Sequence, residues 1–440
     1  MTGRTANIGQ ANIRGAGMLA CDVVAPAITG KQTRKPRAIC VIDLSFTGWF
    51  MGPQVKEKAM RVSRRSEVDP FIVMDVMEAA RAAEAAGRHI IHMEVGQPGT
   101  GAPEAARARL AAEVEAGPLG YTVALGRPDL RAGIAALYDE WYGIDLDPAR
   151  VVVTAGASGA FLLAFTALFD AGDKVGLGEP CYPSYRQILR ALSLEPVGFQ
   201  TNEATRFQPV PGNLRDDMAG LIVASPANPS GTMLDRAAMT GLVEACTARD
   251  ISLISDEIYH GLQYDGPAVS ALEISDDLYI VNSFSKYFSM TGWRLGWMVV
   301  PEAHIRVIER LAQNMFICPP HAAQVAALGA LSPEGRAELD GHRETYAANR
   351  ALMLAGLARA GFDKVAPADG AFYIYADASD HTADSLAFAA EILEKAGVSV
   401  TPGLDFDPVR GHTTLRFSYA RATADIEEGL LRLQRFMATR

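Results

Sequence analysis

From position 68 onward the sequence alternates short apolar runs with stretches of helical period, and this alternation limits the fold more than any other feature. Seven runs, at 151–155, 174–177, 196–199, 220–224, 251–255, 278–282 and 296–300, are each rich in Val, Ile or Leu. Several lack polar alternation, as strands buried on both faces do. Helical stretches at 160–170, 236–249 and 303–315 lie between them, with Gly172 and the Pro-Pro at 319–320 marking ends. The pattern predicts an α/β fold: a mostly parallel seven-stranded sheet with helices on both faces. Beyond 319 the texture changes. A long helix over 321–360, strand-like 371–376, a helix at 383–396, strands at 398–401 and 413–419 and a final helix from 423 predict a smaller α+β domain. A helix at 70–86 and extended chain at 90–95 join it from the other end. The expected division is therefore 66–105 and 321–440 as a discontinuous small domain around a large domain at 106–320.

The 440 residues are too many for one ordinary domain, and 49% hydrophobic with 21% charged are the proportions of a chain that buries a large core. A net charge of −10 leaves no global basic field for nucleic acid. The longest apolar stretches fall short of the roughly 20 residues that a membrane-spanning helix needs. Five cysteines, at 21, 40, 181, 246 and 318, are odd in number and never in a C-x-x-C spacing, which reads as reduced cytoplasmic thiols and no zinc site. The eight histidines show no metal-ligand spacing either. Residues 1–65 stand apart, with eleven Lys or Arg against three Asp or Glu. They are expected to be an appendage: a disordered segment, a misassigned start ahead of Met51 or Met60, or a basic leader of poor amphipathic period.

The chemistry concentrates just past the ends of the apolar runs, where open α/β sheets gather their ligands. Lys286 closes Ser-Phe-Ser-Lys directly after the 278–282 run, and burial there would lower its pKa and make it an amine nucleophile toward an aldehyde. Taken alone it reads equally as a surface lysine. Ser283, Ser285 and Arg294 lie close by in sequence and are candidate donors to one phosphate. Asp256 ends Ile-Ser-Leu-Ile-Ser-Asp; a carboxylate at the end of a buried strand needs a cation or a proton, and a protonated pyridine nitrogen would serve, as would a plain helix cap. Tyr259, three residues on, can turn its hydroxyl to the same ligand. Gly156-Ala157-Ser158-Gly159 opens a helix after the 151–155 run, offering free amides and a positive dipole end. Asn228, held between prolines in Ser-Pro-Ala-Asn-Pro-Ser-Gly, suits a bond to a ligand oxygen, though the sequence is also a good turn.

In order and spacing, Tyr121, Gly156-Ala157-Ser158, Tyr182, Asn228, Asp256, Tyr259, Ser-Phe-Ser-Lys286, Arg294 and Arg416 resemble the class I/II aminotransferases, fold type I pyridoxal-phosphate enzymes, from about 66 to the C-terminus. The resemblance implies pyridoxal 5′-phosphate as cofactor, with Lys286 holding it as a Schiff base. Asp256 would keep the pyridine nitrogen protonated, and Asn228 and Tyr259 would bond its phenolic oxygen. Tyr182 would stack on the ring, while Ala157, Ser158, Ser283 and Arg294 would hold the phosphate. Tyr121 would reach the phosphate in a neighbouring subunit, which implies a homodimer. Arg416, in Thr-Leu-Arg-Phe-Ser-Tyr, would clamp the substrate α-carboxylate with help from the backbone at Gly96. A guanidinium fork suits that task, since it grips a carboxylate through two bonds.

The implied activity is ping-pong transfer of an amino group from an L-amino acid to a 2-oxo acid. A C–S β-lyase would use the same Lys286, and a non-catalytic regulator would need a DNA-binding head that 1–65 does not show. The helix over 161–169 carries no cation for a second carboxylate, which speaks against a strictly acidic donor.

Overall fold

The seven apolar runs form one sheet, ordered across its width as 151–154, 296–299, 279–283, 252–256, 220–224, 174–179 and 195–200, in a computed structural model that describes residues 60–440. The expectations for 1–65 fall almost wholly on residues outside that range. Along the chain come α1 (Ile72–Ala85), β1 (Ile91–His92), α2 (Glu104–Ala116) and α3 (Pro128–Tyr142). The sheet then begins with β2 (Val151–Thr154), followed by α4 (Gly156–Leu168), β3 (Lys174–Glu179), α5 (Pro183–Ala191) and β4 (Glu195–Gln200). It continues through β5 (Gly220–Ala224), α6 (Arg236–Thr247), β6 (Ser252–Asp256), β7 (Tyr279–Ser283) and β8 (Gly296–Val299). Only β8 runs against its neighbours, pairing antiparallel with β2 and β7, so the sheet is mostly parallel as the sequence predicts.

Burial on both faces explains the runs. Every residue of β2, β7 and β8 is buried, and each Val or Ile so placed contributes about 1.5–3 kcal/mol relative to exposure. Because the parallel strands share a direction, Ala224, Asp256 and Ser283 finish β5, β6 and β7 along one edge, with Ala224 opposite Asp256 in register. The start of α4 opens on the same edge.

The remaining elements are α7 (Ile305–Met315), α8 (His321–Ala330), α9 (Pro333–Arg359), β9 (Tyr373–Asp377), α10 (Ser385–Ala396), β10 (Val398–Ser399), β11 (Thr401–Pro402), β12 (Thr414–Ser418) and α11 (Thr423–Met437). β11, β12 and β9 make a three-stranded antiparallel sheet, and β1 pairs parallel with β10. Residues Arg61–Arg440 form one compact unit. No helix among the described residues is long and apolar enough to cross a membrane.

Two expectations are corrected. The helix expected over 321–360 is two helices, because Ser332 caps the second through Gly335 N at 3.2 Å and Pro333 has no N–H to continue the first. The strand expected at 398–401 is split at Val400, where the chain leaves β1 for β12.

At its start, α1 is tied down from a distance. Both carboxylate oxygens of Asp405 accept its leading amides, Ile72 N at 3.0 Å and Val73 N at 3.1 Å. The first turn is thereby capped by a residue far away in sequence.

Candidate active site

A cavity of about 630 Å³ opens on the sheet edge where β5, β6 and β7 end, between the start of α4, α1 and β12. Its wall brings together Gly96, Ala157, Ser158, Tyr182, Asn228, Asp256, Tyr259, Lys286, Arg294 and Arg416, ten positions singled out from sequence.

Lys286 follows β7 and its Nζ donates to Gly96 O at 2.5 Å. Burial pulls its pKa down to about 7, helped by the charges of Arg416 and Arg294 and opposed by that of Asp256. The amine is therefore neutral in a good share of molecules at neutral pH, as a nucleophile must be. Asp256 is 4% exposed. Its oxygens accept from the Tyr185 hydroxyl and, at 3.1 Å, from Ile258 N. Burial raises its pKa to about 6, the two hydrogen bonds and Lys286 working the other way. No cation pairs with it among the described residues, so a ligand bearing an N–H cation would be held strongly here.

The start of α4 can seat an anion. Ala155 supplies no side-chain cap, which leaves the first amides of the helix available. Gly156, at φ +73°, matters twice: its backbone favours glycine, and a Cβ there would stand 2.7 Å from Arg294 Nη2. The guanidinium thus lies against the positive end of the helix dipole, an arrangement that favours an anion between them.

Arg416 is 3% exposed on β12. It donates through Nη1 to Asn228 Oδ1 at 2.8 Å, and through Nη2 to Glu94 O at 2.5 Å and Thr401 Oγ1 at 3.2 Å. Its Nε has no partner. The guanidinium lies over the rings of Tyr373 and Phe406, 4.3 and 4.6 Å from their centroids. A buried cation held by neutral groups alone is a receptor for a carboxylate.

Two sequence candidates stand elsewhere. Ser283 lies behind the wall, hydrogen-bonded to Ser285 Oγ at 2.9 Å and Leu295 O at 3.0 Å, and Ser285 takes the lining position. Tyr121 is 83% exposed and off this cavity, on a loop pinned by buried Gln324, which bonds Thr122 Oγ1 at 3.1 Å and Arg127 N at 2.7 Å. His260 has a packing role: its Nε2 bonds Ser225 O at 2.9 Å and its Nδ1 the Tyr142 hydroxyl at 2.5 Å. Sequence reasoning missed Tyr185, Tyr373 and the α1 face of Val73, Met74 and Met77. Tyr185 had a signal, its place one helical turn after Tyr182.

The statistical model of the family described as Aminotransferase class I and II matches residues 88–433. The valine–pyruvate aminotransferase of Mycobacterium tuberculosis is 49% identical over 378 residues, 85% of this chain and 97% of that protein. Among solved structures, one from Silicibacter pomeroyi is 66% identical with a TM-score of 0.82, covering 87% of this chain and all of that one. The aspartate aminotransferase of Thermus thermophilus, crystallised with maleate, is 31% identical with a TM-score of 0.81, covering 86% of this chain and all of the other.

Proposed function

The chain belongs to the class I and II aminotransferases, enzymes that move an amino group from an amino acid to a 2-oxo acid, and from that premise we propose that it works with pyridoxal phosphate bound at Lys286. The residues present fit the group. Gly156 leaves a cradle that a Cβ would close against Arg294, Asp256 is a buried carboxylate without a cation partner, and Lys286 is an amine whose proton is loosened by burial. The pairing of Lys286 and Asp256 in one cavity carries the reading most strongly, since each is driven toward neutrality and neither hydrogen-bonds the other.

Bound there, the cofactor would supply an aldehyde for amines and a protonated ring that takes up the electron pair left at the substrate's Cα. Arg294, Ser158, Ser285 and the first amides of α4 would hold its phosphate. Asp256, steadied by Tyr185 and Ile258 N, would keep a proton on the ring nitrogen. Asn228 and Tyr259 would donate to the ring oxygen, and Tyr182 would pack against the ring. Arg416 fixes the substrate carboxylate, which turns the Cα–H bond toward Lys286 Nζ. That Nζ, once free, would be the base that takes the Cα proton and delivers it to the cofactor's former aldehyde carbon.

The donor proposed is an aliphatic L-amino acid such as valine, with pyruvate as an acceptor. Phe71, Val73, Met74, Met77, Phe161 and Ile258 make the apolar wall, and the cavity's cations, Lys286, Arg294 and Arg416, all have other tasks. The mycobacterial relative's name agrees with this choice. We assign 106–320 to cofactor binding and 66–105 with 321–440 to a small domain over it, in a cytoplasmic homodimer to which Tyr121 contributes across the interface.

The test is the visible absorption of purified protein given pyridoxal phosphate, beside Lys286→Ala. A band that valine removes and pyruvate restores, absent in the variant, is expected. Protein that stays colourless sinks the cofactor assignment, and at least tenfold higher kcat/KM for aspartate than for valine sinks the donor assignment.

A further inference from the structure

Tyr373, on β9, has its hydroxyl 2.8 Å from that of Tyr259. Both side chains are buried, at 1% and 4% exposure, and neither hydroxyl has another hydrogen-bond partner among the described residues. Two phenols at this distance share one proton between them, so one hydroxyl keeps a proton free to point elsewhere. A Cβ built on Gly96 would stand 1.8 Å from Tyr373 Oη, so this hydroxyl lies hard against Gly96, and if Tyr259 donates to a cofactor oxygen as proposed above, Tyr373 must be the donor within the pair. The proton of Tyr259 is then the one left for the cavity. On the other side of the residue, the Tyr373 ring sits 4.3 Å from the Arg416 guanidinium. A cation over a phenol ring draws density from it and makes its O–H a better donor.

Resting on the function proposed above, we infer that Tyr373 is a positioning residue that turns the Tyr259 hydroxyl toward the cofactor and ties its donor strength to the carboxylate site at Arg416. Hydrogen bonds in a chain reinforce one another, so donation from Tyr373 strengthens donation by Tyr259. When a substrate carboxylate neutralises Arg416, the pull on the Tyr373 ring relaxes and the Tyr259 donor weakens. Occupancy of one end of the cavity is thus reported at the other through two side chains, without movement of the backbone.

The measurement is the pH titration of the visible band in cofactor-loaded wild type, Tyr373→Phe, Tyr259→Phe and the double variant. A donor on the ring oxygen stabilises its negative charge and lowers the proton affinity of the Lys286 nitrogen beside it, so losing donation raises the midpoint. Tyr373→Phe should raise it by about half a pH unit or more. No further shift is expected when the same change is made in Tyr259→Phe. Because phenylalanine keeps the ring under Arg416, the dissociation constant for 3-methylbutanoate, a carboxylate without an amine, should change by less than roughly threefold. An unmoved midpoint in Tyr373→Phe, or an equal shift in the Tyr259→Phe background, overturns the inference, including where the melting temperature falls and shows a structural role only. Wild-type protein with no visible band overturns the cofactor reading and this inference with it.

Discussion

Arg416 on β12 and Asn228 in the turn after β5, far apart in sequence, are joined by a buried hydrogen bond from Nη1 to Oδ1 at 2.8 Å. A guanidinium only donates, so the amide atom facing it is oxygen and the Asn228 NH2 is turned the other way. The bond that readies Arg416 for a carboxylate therefore also aims an N–H donor for a ligand oxygen.

Arg416→Lys is expected to lower kcat/KM for valine at least 100-fold, about 2.7 kcal/mol. An ammonium cannot form the two-pronged grip or span both Asn228 and Glu94 O. Arg416→Met should be as inactive yet melt no lower than wild type, because a buried cation without a counter-ion costs stability. A large loss of melting temperature in Arg416→Met would count against this account of the residue.

Gly156→Ala should weaken binding of pyridoxal phosphate by at least roughly tenfold, about 1.4 kcal/mol. The new methyl group meets Arg294 Nη2 at 2.7 Å and carries a strained φ of +73°. Equilibrium titration of the cofactor checks this, and an unchanged dissociation constant would remove Arg294 from the anion seat.

The sheet and this seat were open to reading because each rests on local pattern: buried runs of Val and Ile, a small-residue turn before a helix, a lysine after a strand. Tyr373 and Asp405 were not legible. Tyr373 reads as one more apolar position of β9, and its meaning comes from Gly96 and Tyr259 meeting it in space. Asp405 caps a helix more than 300 residues earlier, a relation no sequence spacing records. The break at Ser332-Pro333 carried an ordinary helix-start signal, a serine before a proline, and helical residues continue on both sides of it.

The pH response of the empty protein should follow Lys286. With its folded pKa near 7 and an unfolded value near 10.5, the unfolded chain binds more protons between those limits, so stability rises with pH across that window. Lys286→Met removes the dependence. Its melting temperature should exceed that of cofactor-free wild type most at pH 7 and below, the gap narrowing toward pH 10. The rate of cofactor uptake by wild type should climb through about pH 7 and then level, as the amine loses its proton. A gap independent of pH would show that Lys286 titrates normally.

Asp405→Ala should lower stability by about 1 kcal/mol or somewhat more, as removal of a helix cap does. More telling is the substrate profile. Met74 and Met77 reach the cavity from α1, so freeing the start of that helix loosens the apolar wall against the donor's side chain. The KM for valine should rise several-fold more than that for alanine, with kcat little changed. Equal changes for both donors would mean that α1 does not read the side chain.

Tyr121 gives the sharpest test of assembly. A tyrosine 83% exposed on a loop pinned by Gln324 is a rigid aromatic presented outward, suited to a neighbour's surface. Mix Lys286→Ala chains with Tyr121→Ala chains, each nearly inactive alone. If Tyr121 serves the partner's cavity, a hybrid dimer has one site with both Lys286 and Tyr121, and the statistical mixture should recover about a quarter of wild-type activity. If it serves its own subunit, no site in any hybrid is complete and activity stays at the level of the parents. Recovery should grow with time of subunit exchange and vanish when the two chains are cross-linked as homodimers first, which separates true site-sharing from a stabilising effect of mixing.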